Sequence, residues 1–384
     1  AGISGFTKFD LGRELGRGGM GVVVAARDRV LRRSLAIKRL HEAESSRARL
    51  AFFEEAQITG QLEHPNIVPV HEVGVDADGR PYMAMKRVGG RTLGDVIRET
   101  HRKWATHRKQ AAAKGPEFAP AEEADRRALL QMLLKVCDAL AYAHDRGVIH
   151  RDLKPGNVMV GTFGEVLVMD WGLAKPIARE DGSEQEGPQA DGHPPARPTP
   201  SRGRDTQSRG RDTQARLARA ASGPAEAGAK RANRQTDPAS AKAAPDDDHE
   251  EAIATDRREQ RLDLTLTGQV KGTPAYMAPE QAIGSTNLGP GVDIYALGGI
   301  LYTILTGAMP VEGDSTEAQL TATLEGRIVP PRDRVKHARV PRELEAVALR
   351  ALARRRRDRY ATVVEFAADL RAYLEGFALT AVDY

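Results

Sequence analysis

The sequence predicts an α+β fold of two lobes, a small β-rich one followed by a larger helical one that carries a long disordered insertion. Three observations lead there. Five short runs of β-type residues occupy the first ninety positions, and stripes at helical spacing follow from about residue 122. Residues 176–264 then interrupt the second part with Pro, Gly, Ala, Ser and charge, almost without aromatic or large aliphatic side chains. A chain of 384 residues with 40% hydrophobic content has enough apolar surface for two real cores. The expected boundaries are 1–88 for the first lobe, 89–175 and 265–376 for the two parts of the second, 176–264 for the insertion, and 377–384 for a tail.

The β-type runs are "FDLGRELG", "VVVAAR", "LAIKRL", "IVPVHEVG" and "YMAMKRV", each bounded by Gly or charged turns. Between the third and fourth, "RARLAFFEEAQITGQLEH" (47–64) predicts a helix with Leu50, Phe53, Ile58 and Leu62 on one apolar face. Residues 101–122 are basic and then Ala/Pro-rich, and read as a surface excursion between two helices. In "ALLQMLLKVCDALAYAH" the apolar positions 130, 133, 137, 140 and 141 follow a helical stripe, which places Cys137 in the core. As the single cysteine it excludes an internal disulfide framework and suits a reducing compartment. "IYALGGILYTILTGAMP" (294–310) is broken by Gly and Thr and falls short of the about 18 uninterrupted apolar residues of a membrane span, so it predicts a buried helix. No signal peptide opens the chain, which begins without Met; the expectation is a cytoplasmic segment of something longer, whose membrane anchor, if any, lies outside it.

The tract 176–264 cannot bury enough apolar surface to offset its ordering entropy, hence the expectation of disorder. Its tandem repeat, "SRGRDTQ" at 201–207 and 208–214, is too short for a solenoid and fits slippage in a tolerant loop. A net charge of only +4 gives no strong case for nucleic acid or anionic lipid as the main partner. The four successive arginines of "ALARRRRDRY" would spread around a helix rather than form a binding stripe.

Chemistry enters with "LGRGGMGVVVAA". Gly16, Gly18 and Gly21 have the spacing that lets a backbone turn approach a polyphosphate, and Val23 closes the pattern. The next element is a strand, which argues for a glycine flap between strands and against a dinucleotide-binding unit. Lys38 in "LAIK", beside apolar Ala36 and Ile37, needs an anion if its strand is buried, and Glu55 on the following helix is the candidate; two ordinary surface charges are the plain alternative. "VIHRDLKPGNVMV" (148–160) then sets a carboxylate (Asp152), a cation (Lys154) and an amide (Asn157) on one Pro/Gly-containing turn. "VLVMDWG" adds Asp170 at a strand end, as a metal ligand or a turn former.

These stretches, with "GTPAYMAPE" (272–280), "DIYALG" (293–298) and the late arginine of "RDRY", come in one order, and in that order the sequence resembles the eukaryotic-type (Hanks-type) Ser/Thr protein kinases, their bacterial members in particular. The resemblance implies a bilobal kinase fold using ATP and Mg²⁺, with the insertion inside the activation segment. It implies that Lys38, held by Glu55, binds the α- and β-phosphates, that Asp152 orients the substrate hydroxyl, and that Lys154 neutralises the transferring phosphoryl. Asn157 and Asp170 would hold Mg²⁺. Val23, Ala36 and Met159 would sandwich adenine, with Met85 as gatekeeper and the backbone of Lys86 and Val88 at the lobe hinge, where the family usually has an acid in place of Lys86. Thr273 would bond Asp152 and Lys154, Glu280 would pair with Arg359, and Asp293 would brace the catalytic loop. Arg151 would meet a phosphate on the activation segment, with Thr265 and Thr267 the candidate autophosphorylation sites and Thr206 and Thr213 weaker ones. Trp171 stands where the family has Phe and would fill the same slot between the lobes. The implied partners are proteins with Ser or Thr hydroxyls, and a second copy of the chain for autophosphorylation in trans. A catalytically silent scaffold is the alternative; the presence of Lys38, Asp152, Asn157 and Asp170 together weighs against it.

Overall fold

In the computed structural model, which describes residues 5–18, 21–41, 45–114, 120–176, 273–335 and 340–382, each of the five β-type runs forms a strand. They are β1 (Phe9–Arg17), β2 (Gly21–Asp28), β3 (Ser34–Leu40), β4 (Val70–Val75) and β5 (Pro81–Lys86). Together they form one antiparallel sheet in the order β1-β2-β3-β5-β4. The β2–β3 turn is closed by the buried Asp28, whose carboxylate accepts the N–H groups of Val30 and Leu31 at 2.9 and 3.0 Å. Such side-chain acceptance is why Asp favours turns.

Helix α1 (Ser46–Gln61) starts at Ser45, whose hydroxyl accepts the Ala48 N–H. Its inward face includes the predicted Ile58 and Leu62 but otherwise differs from the predicted one. Phe52, Glu55, Ala56, Ile58 and Thr59 are buried, whereas Leu50 is 71% exposed and Phe53 only half-buried. A carboxylate at the centre of the buried face, held there by a lysine from β3, hides the period that apolar residues alone would mark.

After the short β6 (Gly90–Thr92), the second lobe is built on α2 (Leu93–Lys114), α3 (Pro120–Asp145) and α5 (Gly291–Thr306). The expected surface excursion at 101–122 is, through Lys114, a continuation of α2. Trp104 explains this: its ring is 2% exposed, its Nε1–H donates to Asp125 of α3 at 3.0 Å, and the Arg126 guanidinium lies 5.7 Å from its centroid. His101 adds a 2.9 Å bond to the Ile304 carbonyl of α5. One aromatic anchor docks the middle of α2 on α3, and the residues after it are mostly exposed through Gln110.

Cys137 is buried, as the α3 stripe predicts, and every residue of α5 is buried, as expected of the apolar run at 294–310. Among the described residues no helix is long and apolar enough to cross a membrane. Strand β8 (Val158–Gly161) pairs with β6 on one side and β9 (Val166–Val168) on the other, and β7 (Val148–Ile149) pairs with β10 (Lys175–Pro176). Pro176, expected as the first residue of the insertion, thus still belongs to a strand. Residues 177–272, with Thr206, Thr213, Thr265 and Thr267, lie outside the described residues. The chain continues through α4 (Pro279–Ala282), α6 (Thr316–Glu325), α7 (Pro331–Arg334), α8 (Arg342–Ala351) and α9 (Val363–Glu375).

Candidate active site

The central loop, residues 150–157, hangs from α5. Asp293, fully buried near the start of that helix, accepts the backbone N–H groups of His150 and Arg151 at 2.8 and 2.9 Å and the His144 Nε2–H at 2.8 Å. Burial pushes the Asp293 carboxyl up, but the bond from His144 and the neighbouring donors outweigh it and hold it below its ordinary value. Two amides are thereby fixed against a charge at the one point where the chain must turn sharply, with Arg151 at φ +69°. The His150 ring reinforces the turn: Nε2 is 3.1 Å from the Met169 carbonyl, which can only accept, so Nδ1 is left to accept the Asp152 N–H at 3.3 Å.

Beyond the turn, the Asp152 carboxylate is surrounded by donors. Lys154 Nζ is 2.8 Å and Asn157 Nδ2 3.2 Å from one oxygen, and the Thr273 backbone N–H points at the other from 3.4 Å. Thr273 therefore reaches Asp152 through its amide. Asn157 also donates to the Asp152 carbonyl at 2.8 Å, so its amide orientation is fixed and its side-chain oxygen faces away from these bonds. Gln281 of α4 donates to the Arg151 carbonyl at 2.8 Å.

From the first lobe comes a second charged group. Lys38 Nζ lies 2.6 and 2.8 Å from the two Glu55 oxygens and 3.5 Å from Asp170. Burial works against the Lys38 charge, yet the two carboxylates prevail and raise its pKa, so it stays protonated; burial pushes Glu55 up, with Lys38 opposing. Asp170 follows β9 at φ +63° with its side chain half exposed. Two residues on, Gly172 is tightly placed: a Cβ there would stand 3.0 Å from Glu55 Oε2, so the Glu55 carboxylate would have to give way. Trp171 between them is 1% exposed, with its ring 4.7 Å from that of His150 and its Nε1–H without a partner among the described residues.

The three glycines have different reasons. Gly21 faces β3 so closely that a Cβ would meet the Arg39 carbonyl oxygen at 2.1 Å, whereas at Gly16 and Gly18 nothing lies within 4 Å. The second pair leaves the open approach that a phosphate requires. Val23 lies opposite Lys38 across β2–β3, and Ala36 opposite Met85 across β3–β5. With Met83, Val70 and Met169 these form one apolar cluster. Met159 lies in β8, opposite Leu167 and Thr92. Lys86 gives its N–H to Pro69 at 3.0 Å and leaves its side chain in solvent, and Val88 follows it, half-buried.

The donor set suits Mg²⁺. Asn157 offers an amide oxygen and Asp170 a carboxylate, and among the described residues no group of three His, Cys, Asp or Glu forms a protein cage. Such a sparse set fits a hard cation that keeps water and phosphate oxygens in its shell. Sequence reasoning missed His144, Gln281 and Asn66. Asn66 donates from Nδ2 to the Val166 carbonyl at 2.8 Å and so ties the α1–β4 loop to the second lobe. No motif marks these residues, because each acts through a contact that is distant in sequence.

A five-stranded lobe set against a helical lobe, with the polar groups gathered around the loop that α5 holds, is the architecture of the protein kinase class. A family model described as the protein kinase domain matches residues 9–187 and 253–366. The chain is 30% identical over 368 residues to the serine/threonine-protein kinase PknD of Protochlamydia amoebophila, covering 95% of this chain and 30% of that protein. It is 29% identical over 373 residues to PknD of Chlamydia trachomatis serovar L2b, covering 96% and 32%. A probable serine/threonine-protein kinase of Corynebacterium efficiens is 30% identical over 370 residues, with 94% and 41% covered. The chain thus spans less than half the length of these relatives. It belongs to the protein kinase family.

Proposed function

We propose that this chain transfers the γ-phosphoryl group of ATP to serine and threonine hydroxyls of proteins. The observation that carries the reading is the meeting of Asp152, Lys154 and Asn157 on one rigid turn with the Lys38–Glu55 pair and Asp170 across the seam between the lobes. Bound Mg²⁺ supplies neutralisation of phosphate charge, and Asn157 and Asp170 are the residues that would hold it. Lys38, kept protonated and aimed by Glu55, binds the α- and β-phosphates. Asp152 accepts a hydrogen bond from the incoming hydroxyl and orients it, while Lys154, already paired to that carboxylate, meets the negative charge on the moving phosphoryl. Positioning and charge neutralisation are what this reaction needs, since its loose transition state asks for no covalent relay. Val23, Ala36, Met85 and Met159 form the apolar slot for the base, and the backbone of Lys86 and Val88 reads its edge.

The test is a radiolabelled ATP assay on a generic basic protein substrate. Asp152→Asn is expected to lose on the order of 10² or more in kcat; equal labelling by the variant and the wild type would refute the role of Asp152.

The spacing of Thr265 and Thr267, eight and six residues before Thr273, supports autophosphorylation there, in trans between two copies, with Arg151 receiving the phosphate. Mass mapping after incubation with Mg-ATP is expected to find phosphate at these threonines and Thr265→Ala/Thr267→Ala to be poorly active. Full activity of the double variant would remove both from the activating role.

A further inference from the structure

We propose that His41 is a positioning residue for the glycine flap, holding the flap's carbonyl backbone so that its N–H groups stay over the phosphates; the proposal rests on the phosphotransfer reading above. His41 directly follows β3. Its Nε2 lies 3.1 Å from the Gly18 carbonyl oxygen, and since a carbonyl only accepts, Nε2 carries the proton and donates. Gly18 in turn donates its own N–H to the Gly21 carbonyl at 2.9 Å, closing the turn between β1 and β2. The flap is therefore held on both sides of one residue, internally through the Gly18 N–H and externally through the imidazole on the Gly18 carbonyl.

The anchor is firm because the end of β3 is firm. Leu40, the neighbour of His41, is 3% exposed and lies opposite Gly21, which packs against the Arg39 carbonyl with no room for a Cβ. Lys38 sits three residues upstream on the same strand. The lysine that meets the phosphates thus lies on β3, and the imidazole that holds the turn above them on the residue directly after it.

A Cβ at Gly16 or Gly18 would meet nothing within 4 Å among the described residues. Of the charged groups of β1, Glu14 interacts with the imidazole: its carboxyl is held below its ordinary value first by the bond from Arg17 and in part by His41. Neither Glu14 nor Arg17 bonds to His41 in place of Gly18.

Calorimetric titration of the purified chain in Mg²⁺ buffer, with ATP and separately with adenosine, tests this for the wild type, His41→Ala and His41→Gln. Losing one ordinary hydrogen bond corresponds to about fivefold in affinity. His41→Ala is expected to bind ATP about fivefold more weakly and adenosine unchanged, because adenosine does not reach the flap. His41→Gln, whose amide N–H reaches the same carbonyl, is expected to recover most of the loss. In the kinase assay the KM for ATP of His41→Ala is expected to rise by the same factor, with kcat and the KM for the protein substrate unchanged. Equal ATP affinity of His41→Ala and the wild type, a parallel loss of adenosine binding, or no rescue by Gln would each overturn the proposal. A wild type that binds no ATP would instead sink the phosphotransfer reading and this inference with it.

Discussion

Trp171 is the residue whose surroundings say most about its own replacement. Its indole is buried against His150, yet its N–H has no acceptor among the described residues. A buried donor left unpaired costs about 1–3 kcal/mol, which a phenyl ring would not incur, while the lost ring volume costs stability in return. The two effects oppose each other. Trp171→Phe is therefore expected to unfold in urea within about 1 kcal/mol of the wild type and to retain activity, whereas Trp171→Ala is expected to lose about 3–5 kcal/mol. Abolished phosphotransfer in Trp171→Phe would show that the indole itself is needed. At this scale the sequence was highly legible for the loop residues. Asp152, Lys154 and Asn157 lie within six positions, so local geometry alone brings them together. It was silent on His144 and Gln281, whose partners Asp293 and Arg151 lie 149 and 130 residues away.

Among the elements, β2 and β3 show how one motif contains two kinds of glycine. A methyl group at position 21 would run into backbone, which cannot yield as a side-chain end can, so Gly21→Ala is expected to cost about 1–3 kcal/mol in chemical denaturation. Gly16→Ala and Gly18→Ala meet open space and are expected to keep wild-type stability while weakening ATP binding. A matching stability loss in all three would contradict this division. From the sequence the three positions look alike; only the register that sets Gly21 opposite Leu40 separates them. The first half of the α1 face, at Leu50 and Phe53, was misread for a related reason. Its buried face is centred on Glu55, and a search for apolar periodicity passes over a carboxylate whose partner lies on another strand. The second half of α2 was missed because Ala and basic residues outnumber the single tryptophan that docks it.

For the whole molecule, one contact between the lobes away from the hinge runs through the segment after α1. The Val68 N–H donates to the Val168 carbonyl at 3.1 Å, the Val168 N–H to the Asn66 carbonyl at 2.8 Å, and the Asn66 side chain to Val166. This stretch of the first lobe is in effect an extra strand on β9, so β9 and the Asp170 that follows it are tied to the helix carrying Glu55. Asn66→Ala is expected to lower the unfolding free energy by about 1–2 kcal/mol and to speed hydrogen exchange at Val168; unchanged exchange would mean that the backbone pairing alone holds the seam. The two lobes and their order were legible because sheet and helix periods differ, while this tie was not, since "HPNIVPV" has no pattern that names its partner.

The left-handed backbone at Arg151 and Asp170 has an evolutionary consequence. A side chain other than glycine is disfavoured there by about 1 kcal/mol each, and glycine would relieve it. A laboratory selection that rewarded heat resistance without demanding turnover would be drawn to these two codons early.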